Sequence, residues 1–323
     1  MKDYSSLAQS VRQNGYFIDG QWHDGRGRER LERVSPGHGV AVSSVPLCTA
    51  QDVDLAVAAA RRAFEDVWGD TPGAERGRIL IKAAEGIRAR LDEMAYWETL
   101  ETGKPISQSK AEITGAADHY EAAAGMARMI TGETHNSYGE GMLGLVTKQP
   151  IGVVGLITPW NFPFIVLAER LPFILAAGCS VVLKPSEMTS TTSLIFAEIL
   201  AEAGLPRGVY NVVTGTGPEV GGAMSNHLDI DMISFTGSTA VGERVLTASK
   251  SNLKKVGLEL GGKNPQIVFA DANLDDAADG VAFGLCFNAG QCCVSGSRLI
   301  VEASVAESFK AQLLEKLSRV KIG

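Results

Sequence analysis

The stretch Val153-Val154-Gly155-Leu156-Ile157-Thr158-Pro159-Trp160-Asn161-Phe162-Pro163, followed by Ser180-Val181-Val182-Leu183-Lys184-Pro185-Ser186-Glu187, decides the fold. Each half opens with about five mostly apolar residues and closes in a polar, proline-containing turn, as a strand buried on both faces does. A helix is expected between them, from about Phe162 to Ala177. The same alternation continues with a helix from about Thr191, stopped by Gly204 and Pro206, and then the strand Val209 to Val213. A helix near Pro218 to Asn226, a strand Ile230 to Phe235, a helix Thr239 to Ser249 and a strand Lys255 to Leu260 complete the run. Repeated βαβ units predict the α/β class, with a Rossmann-like parallel sheet covered on both faces and ligands at the carboxyl ends of its strands.

Working outward, Tyr16-Phe17-Ile18-Asp19-Gly20-Gln21-Trp22 reads as a hairpin around an Asp-Gly turn. Thr49-Ala50-Gln51-Asp52 resembles a capping box before the Ala-rich run to Phe64, and Ile79 to Leu100 carries apolar residues at helical spacing. From Gly139 to Lys148 the chain turns Gly-rich and then extended, and Gln149-Pro150 closes the stretch. Beyond Gly261 a second α/β unit begins, with a strand Gln266 to Phe269 and a helix Leu274 to Phe287. A Gly/Cys loop, a strand Arg298 to Val301 and an amphipathic helix Val305 to Val320 follow.

At 323 residues the chain has room for about two domains. Thirty Lys and Arg against 37 Asp and Glu give a net charge of −7, without the basic field that nucleic acid or an anionic membrane surface requires. Met1 to Gly15 is polar and lacks an apolar signal region, and no window approaches the roughly 18 apolar residues of a membrane span. No nucleic-acid partner, no membrane and a cytoplasmic location are therefore expected. Cys48, Cys179, Cys286, Cys292 and Cys293 are an odd set with one adjacent pair, which fits free thiols better than a disulfide framework. The five histidines are scattered without metal-ligand spacing, so no metal is expected.

Cys293 lies in a loop of small residues, Asn288-Ala289-Gly290-Gln291-Cys292-Cys293-Val294-Ser295-Gly296, where a nucleophile would be accessible; a small core hydrophobe is the other reading. Glu259 ends a predicted strand among apolar residues, a setting for a general base or for an ordinary strand-end carboxylate. Asn161 offers a neutral amide donor at a helix entrance, or serves as a turn asparagine. Lys184 and Glu187 could address a ribose or form a solvated loop pair. Phe235-Thr236-Gly237-Ser238-Thr239 leads a strand into a helix whose N–H groups can face a pyrophosphate. Gly215-Thr216-Gly217-Pro218-Glu219-Val220-Gly221 nearly matches the dinucleotide fingerprint, with one residue too many before its last glycine.

Together with Glu101-Thr102-Gly103-Lys104-Pro105 and Glu259-Leu260-Gly261-Gly262-Lys263, these segments occur in one order that resembles the NAD(P)-dependent aldehyde dehydrogenase superfamily. The resemblance implies that Cys293, two positions after Gln291, is the nucleophile that attacks a small-molecule aldehyde. Asn161 and the Cys293 N–H would hold the oxyanion, NAD would accept the hydride, and Glu259 would activate the water that hydrolyses the thioester. It also implies that Trp160, Lys184, Glu187, Gly217, Gly237, Ser238 and Leu260 bind the cofactor. Glu187 would disfavour the 2′-phosphate of NADP. Ser295 stands where the family usually places Ala or Gly.

In relatives that take anionic semialdehydes an arginine lies eight residues after the asparagine. Glu169 occupies that position here, which argues against such substrates; cationic aldehydes, or a Glu169–Arg170 pair with no substrate role, are the two further readings. The alternatives to hydrolytic oxidation are a CoA-acylating enzyme and a nucleotide-binding homologue without turnover. The resemblance further implies a nucleotide-binding domain of residues 1–131 and 151–260, a bridging arm of 132–150, and an incomplete catalytic domain of 261–323. It implies an N-terminal piece of a longer, homodimeric or homotetrameric enzyme.

Overall fold

The structure, a computed structural model, describes residues 11–322; most of the polar N-terminal stretch and Gly323 lie outside it. Its first strands are β1 (Arg12–Gln13), β2 (Tyr16–Ile18), β3 (Gln21–His23), β4 (Arg30–Val34) and β5 (Ala41–Pro46). After a run of helices come β6 (Glu133–His135), β7 (Gly144–Val146), β8 (Val153–Ile157), β9 (Ser180–Lys184) and β10 (Tyr210–Val212). The series ends with β11 (Met232–Gly237), β12 (Lys255–Leu260), β13 (Pro265–Val268) and β14 (Arg298–Val301).

The seven-stranded sheet has the order β12-β11-β8-β9-β10-β2-β3. Its strands from β12 to β10 are parallel, and the β2–β3 hairpin adds an antiparallel edge. Every residue of β8 and β9 is buried, which is why both read as unbroken apolar runs. On β9, Val181 and Leu183 pack into the core around Tyr120, Phe164 and Phe196, while Val182 faces the opposite core of Val57, Ile230 and Phe235. The chain runs from β8 outward to β10 and then returns to place β11 on the other side of β8. That reversal opens a crevice beyond the carboxyl ends of β8 and β11.

Local chemistry accounts for several boundaries. Asp19 and Gly20 both have positive φ, 52° and 71°, as a two-residue hairpin turn of this hand requires. Asp52 accepts the Thr49 N–H at 2.8 Å to cap the helix Ala50–Ala63, and Arg28 clamps the same carboxylate at 2.5 Å. Two expected helices are each divided. The Ile79–Leu100 stretch breaks at Arg90, between Gly73–Ala89 and Leu91–Thr102, yet its apolar spacing continues because both pieces pack on the helix Ile106–Met126.

The expected Phe162–Ala177 helix is in fact Pro163–Ala168 and Leu171–Ala176. Pro172 cannot continue a helix from Ala168, because it has no N–H and its ring would meet that carbonyl. The three-stranded sheet β1-β5-β4 carries no apolar signal strong enough for sequence reading, since β4 is Arg-Leu-Glu-Arg-Val. Within residues 139–148 only Gly144–Val146 is a strand, and it pairs with β6.

Gly152 shows how tightly β8 is seated. It has φ of 121°, and a Cβ there would lie 2.0 Å from Asp231 Oδ2. That oxygen accepts the Val153 N–H at 2.7 Å and Arg61 Nη2 at 2.6 Å. Gly152→Ala should therefore destabilise the fold by about 2–4 kcal/mol in urea unfolding; a change below about 0.5 kcal/mol would contradict this account.

Candidate active site

In the sheet register Ile157 stands beside Lys184 and Phe235, and Thr236 and Gly237 stand beside Glu259 and Leu260. The residues singled out by sequence thus come off neighbouring strand ends onto one rim. A cleft of about 420 Å³ opens there, lined among others by Ile157, Gly217, Pro218, Phe235, Val241 and Arg244. A Cβ on Gly221 would touch Lys184 Cδ at 3.7 Å, so the Gly217–Gly221 turn lies against the lysine stem. Lys184 is buried, which pushes its amine pKa down, while Glu187 at 3.0 Å pulls it back up. Ser238 caps the helix Thr239–Ala248 by accepting the Val241 N–H at 3.4 Å, and the first N–H groups of that helix have no intrahelical acceptor. Leu260 packs on the same helix, where a Cβ on Gly242 would come within 2.7 Å of it. Trp160 is half-exposed on the turn after β8.

The second part of the rim is the loop before Cys293. Asn288, Ala289 and Gly290 have φ of 51°, 54° and 75°, three consecutive left-handed residues that reverse the chain after the helix Leu274–Cys286. Cys293 emerges exposed. Asn161 Nδ2 donates to the Gln291 carbonyl at 2.8 Å, which joins the turn after β8 to this loop. Asn264 Nδ2 donates to the Cys293 carbonyl at 3.0 Å, and a Cβ on Gly262 would lie 3.1 Å from that carbonyl, so the residues after β12 reach the thiol backbone. Ser295 is accommodated by donating its hydroxyl to the Gly284 carbonyl at 2.9 Å.

Glu259 is exposed, with its carboxylate 3.9 Å from Arg170 Nη2; Arg170 also meets Glu169 at 3.4 Å. Glu169 is thus exposed and pairs with Arg170. Sequence reading missed three contributors: Arg170 as a partner of Glu259, Arg244 on the cleft, and Asn288 beneath Asn161. A lone Asn before Ala-Gly was the available signal for the last. Among the described residues no group of three His, Cys, Asp or Glu is arranged for a metal, and no helix is long and apolar enough to cross a membrane.

Partial burial pushes the Cys293 thiol pKa above its ordinary value, Cys292 and Glu259 add to the rise, and the N–H groups of Cys293 and Val294 oppose it. Cys48 and Cys179 are buried, and burial lifts the Cys48 thiol to about 11. Iodoacetamide should modify Cys293 with a rate still rising near pH 9 and spare Cys48 and Cys179 in the folded chain. Peptide mass analysis across a pH series checks this, and a plateau reached below about pH 7 would contradict it.

The chain is 42% identical over 310 residues to an aldehyde dehydrogenase of Aspergillus niger, an alignment covering 96% of this chain and 62% of the relative. It is 40% identical over 308 residues to betaine aldehyde dehydrogenase of Bacillus subtilis, covering 95% and 63% respectively. The crystal structure of an NAD-dependent aldehyde dehydrogenase from Sinorhizobium meliloti superposes with a TM-score of 0.96 at 48% identity, over 99% of this chain and 64% of that one. The chain therefore spans less than two thirds of the length of these relatives. The aldehyde dehydrogenase family pattern matches residues 22–323, and the chain belongs to that family.

Proposed function

We propose that this chain carries the nucleotide site and reacting residues for oxidation of a small aldehyde to a carboxylic acid with NAD. The observation that carries the reading is that Asn161 holds the loop of Cys293 through the Gln291 carbonyl, while Glu259 lies in register with Thr236, next to Phe235 on the wall of the cleft. The residues there fit the cofactor: an apolar cleft suits an adenine ring, Lys184 and Glu187 present ribose-binding groups, and the Ser238-capped helix offers N–H groups to a pyrophosphate.

In this mechanism Cys293 Sγ, its proton lost to solvent at the exposed site, bonds to the carbonyl carbon while the π electrons move to oxygen. The developing oxyanion is held by the second amide hydrogen of Asn161, the first being spent on Gln291, and by the Cys293 N–H. NAD, when bound, supplies the hydride acceptor that brings the held carbon to the thioester level. Glu259 then takes a proton from water, whose oxygen bonds to the thioester carbon; the carbon–sulfur bond breaks and the acid leaves.

NADH formation across an aldehyde panel tests the reading. Cys293→Ala should lower the rate by at least about 1000-fold. Glu259→Gln should keep the first-turnover burst and slow steady turnover about 100-fold. NADH formation surviving in Cys293→Ala would remove the thiol mechanism. If no aldehyde is oxidised, nucleotide binding without turnover is the reading that stands. Because Glu187 puts a carboxylate beside the ribose-binding groups, the KM for NAD should be at least about tenfold below that for NADP, and the reverse preference would overturn that assignment.

A further inference from the structure

Beneath Asn161 runs a line of buried and partly buried polar groups that the reaction above does not use. Asn288 is 1% exposed, and its side-chain nitrogen donates to the Asn161 carbonyl at 2.8 Å and to the Gln291 carbonyl at 3.0 Å. Its own N–H donates to Gln108 Oε1 at 3.2 Å. Gln108 Nε2 in turn donates to Glu112, whose other oxygen accepts Lys104 Nζ at 2.5 Å. Lys104, itself 1% exposed, lies 3.3 Å from the fully buried Glu98 and 4.7 Å from the centre of the Phe162 ring, next to Asn161. The buried ions thus support the oxyanion donor from two directions, through Phe162 and through Asn288.

Two features make Asn288 the informative member. Its left-handed backbone is one that asparagine tolerates better than most residues, and the neighbouring Ala289 shares it, so the turn fixes where the Asn288 amide points. Its Oδ1 is buried with no hydrogen-bond partner, so the site keeps an unpaired acceptor for the sake of the two donors on the same amide. One nitrogen holds the carbonyl of Asn161 and the carbonyl that Asn161 itself contacts, which fixes the separation between the amide donor and the Cys293 loop.

We propose that Asn288 is the positioning residue of the Asn161 donor, held in turn by Gln108 and the pair of the buried Lys104 with Glu112. The proposal rests on the aldehyde-and-cysteine reading given above. Its test is the protection of Cys293 by an aldehyde against iodoacetamide in the full chain without NAD, read by peptide mass. Adding the aldehyde forms a sulfur–carbon bond and moves the π pair to the oxygen, which takes a proton from solvent in place of the one the thiol released; that tetrahedral oxygen accepts from the Asn161 amide as it forms and in the adduct, and so draws on Asn161. Alkylation displaces iodide and develops no oxyanion, so it does not. Asn288→Asp keeps size and tolerance of positive φ but replaces donors with acceptors; Asn288→Gly keeps the backbone freedom and removes the side chain.

In both variants the aldehyde concentration giving half-protection should rise about tenfold, while alkylation without aldehyde stays within about twofold. Asn161→Ala should show the same rise, and adding Asn288→Gly to it should bring no more. Unchanged protection in the Asn288 variants would overturn the positioning role and leave the cysteine reading standing. Alkylation falling in step with protection would mark a general loop collapse and overturn it as well. Absence of protection in the parental chain would instead overturn the cysteine reading, and this proposal with it. Should either Asn288 variant fail to fold, Gln108→Leu carries the same test, with a smaller rise in half-protection expected and an unchanged one overturning the role.

Discussion

The rest of the molecule depends on β8 being clamped between β9 and β11 with both of its faces buried. A strand in that position cannot slip by one residue without turning its core side chains to the wrong layer, so its carboxyl end is fixed to within a fraction of a residue. Because Ile157, the last residue of β8, is in register with Lys184, the last of β9, the turns after these two strands start from one level, while β11, paired to Ile157 at Phe235, runs two residues further to Gly237 beside β12. Small polar side chains on short turns can then meet without long loops to position them. Gly152 and Asp231 do for the amino end of β8 what these pairings do for its carboxyl end.

Much of this was legible in the sequence because it is local or periodic. The five buried residues of β9, the Asp19-Gly20 turn and the Thr49–Asp52 cap each announce themselves within a few positions. So do the candidate nucleophile and base, which sit in short, distinctive segments at strand ends. Other features were hidden for physical reasons. The breaks at Arg90 and at Glu169-Arg170 interrupt the backbone but not the apolar stripe, so periodicity runs through both. The strand β4 is stabilised by pairing with β5 rather than by hydrophobic content. Gln108 and Asn288 meet across 180 positions, a distance over which no spacing argument operates.

The molecule also separates two ways of using charge. Lys104 and Glu98 are removed from solvent and held by each other and by Glu112, an arrangement that resists losing any one member more than it adds net stability. Burial raises the Glu98 carboxyl pKa, with the nearby Lys104 opposing the rise. Such a cluster gives the helix Ile106–Met126 a fixed attachment beneath the rim. The carboxylate on the rim itself, Glu259, is held in the opposite way, by one long contact in the open.

That contact has a consequence in time rather than in space. At 3.9 Å, between a partly covered guanidinium and an exposed carboxylate, the Arg170–Glu259 pair is worth less than about 1 kcal/mol after solvent screening. Such an energy is close to the thermal scale, so the carboxylate leaves and returns by ordinary side-chain rotation over picoseconds to nanoseconds. The catalytic steps proposed for Cys293 are far slower than that. A side chain on so loose a tether, the base in the proposed reaction, reorients many times per chemical event and can stand aside for a bulky ligand without any backbone motion.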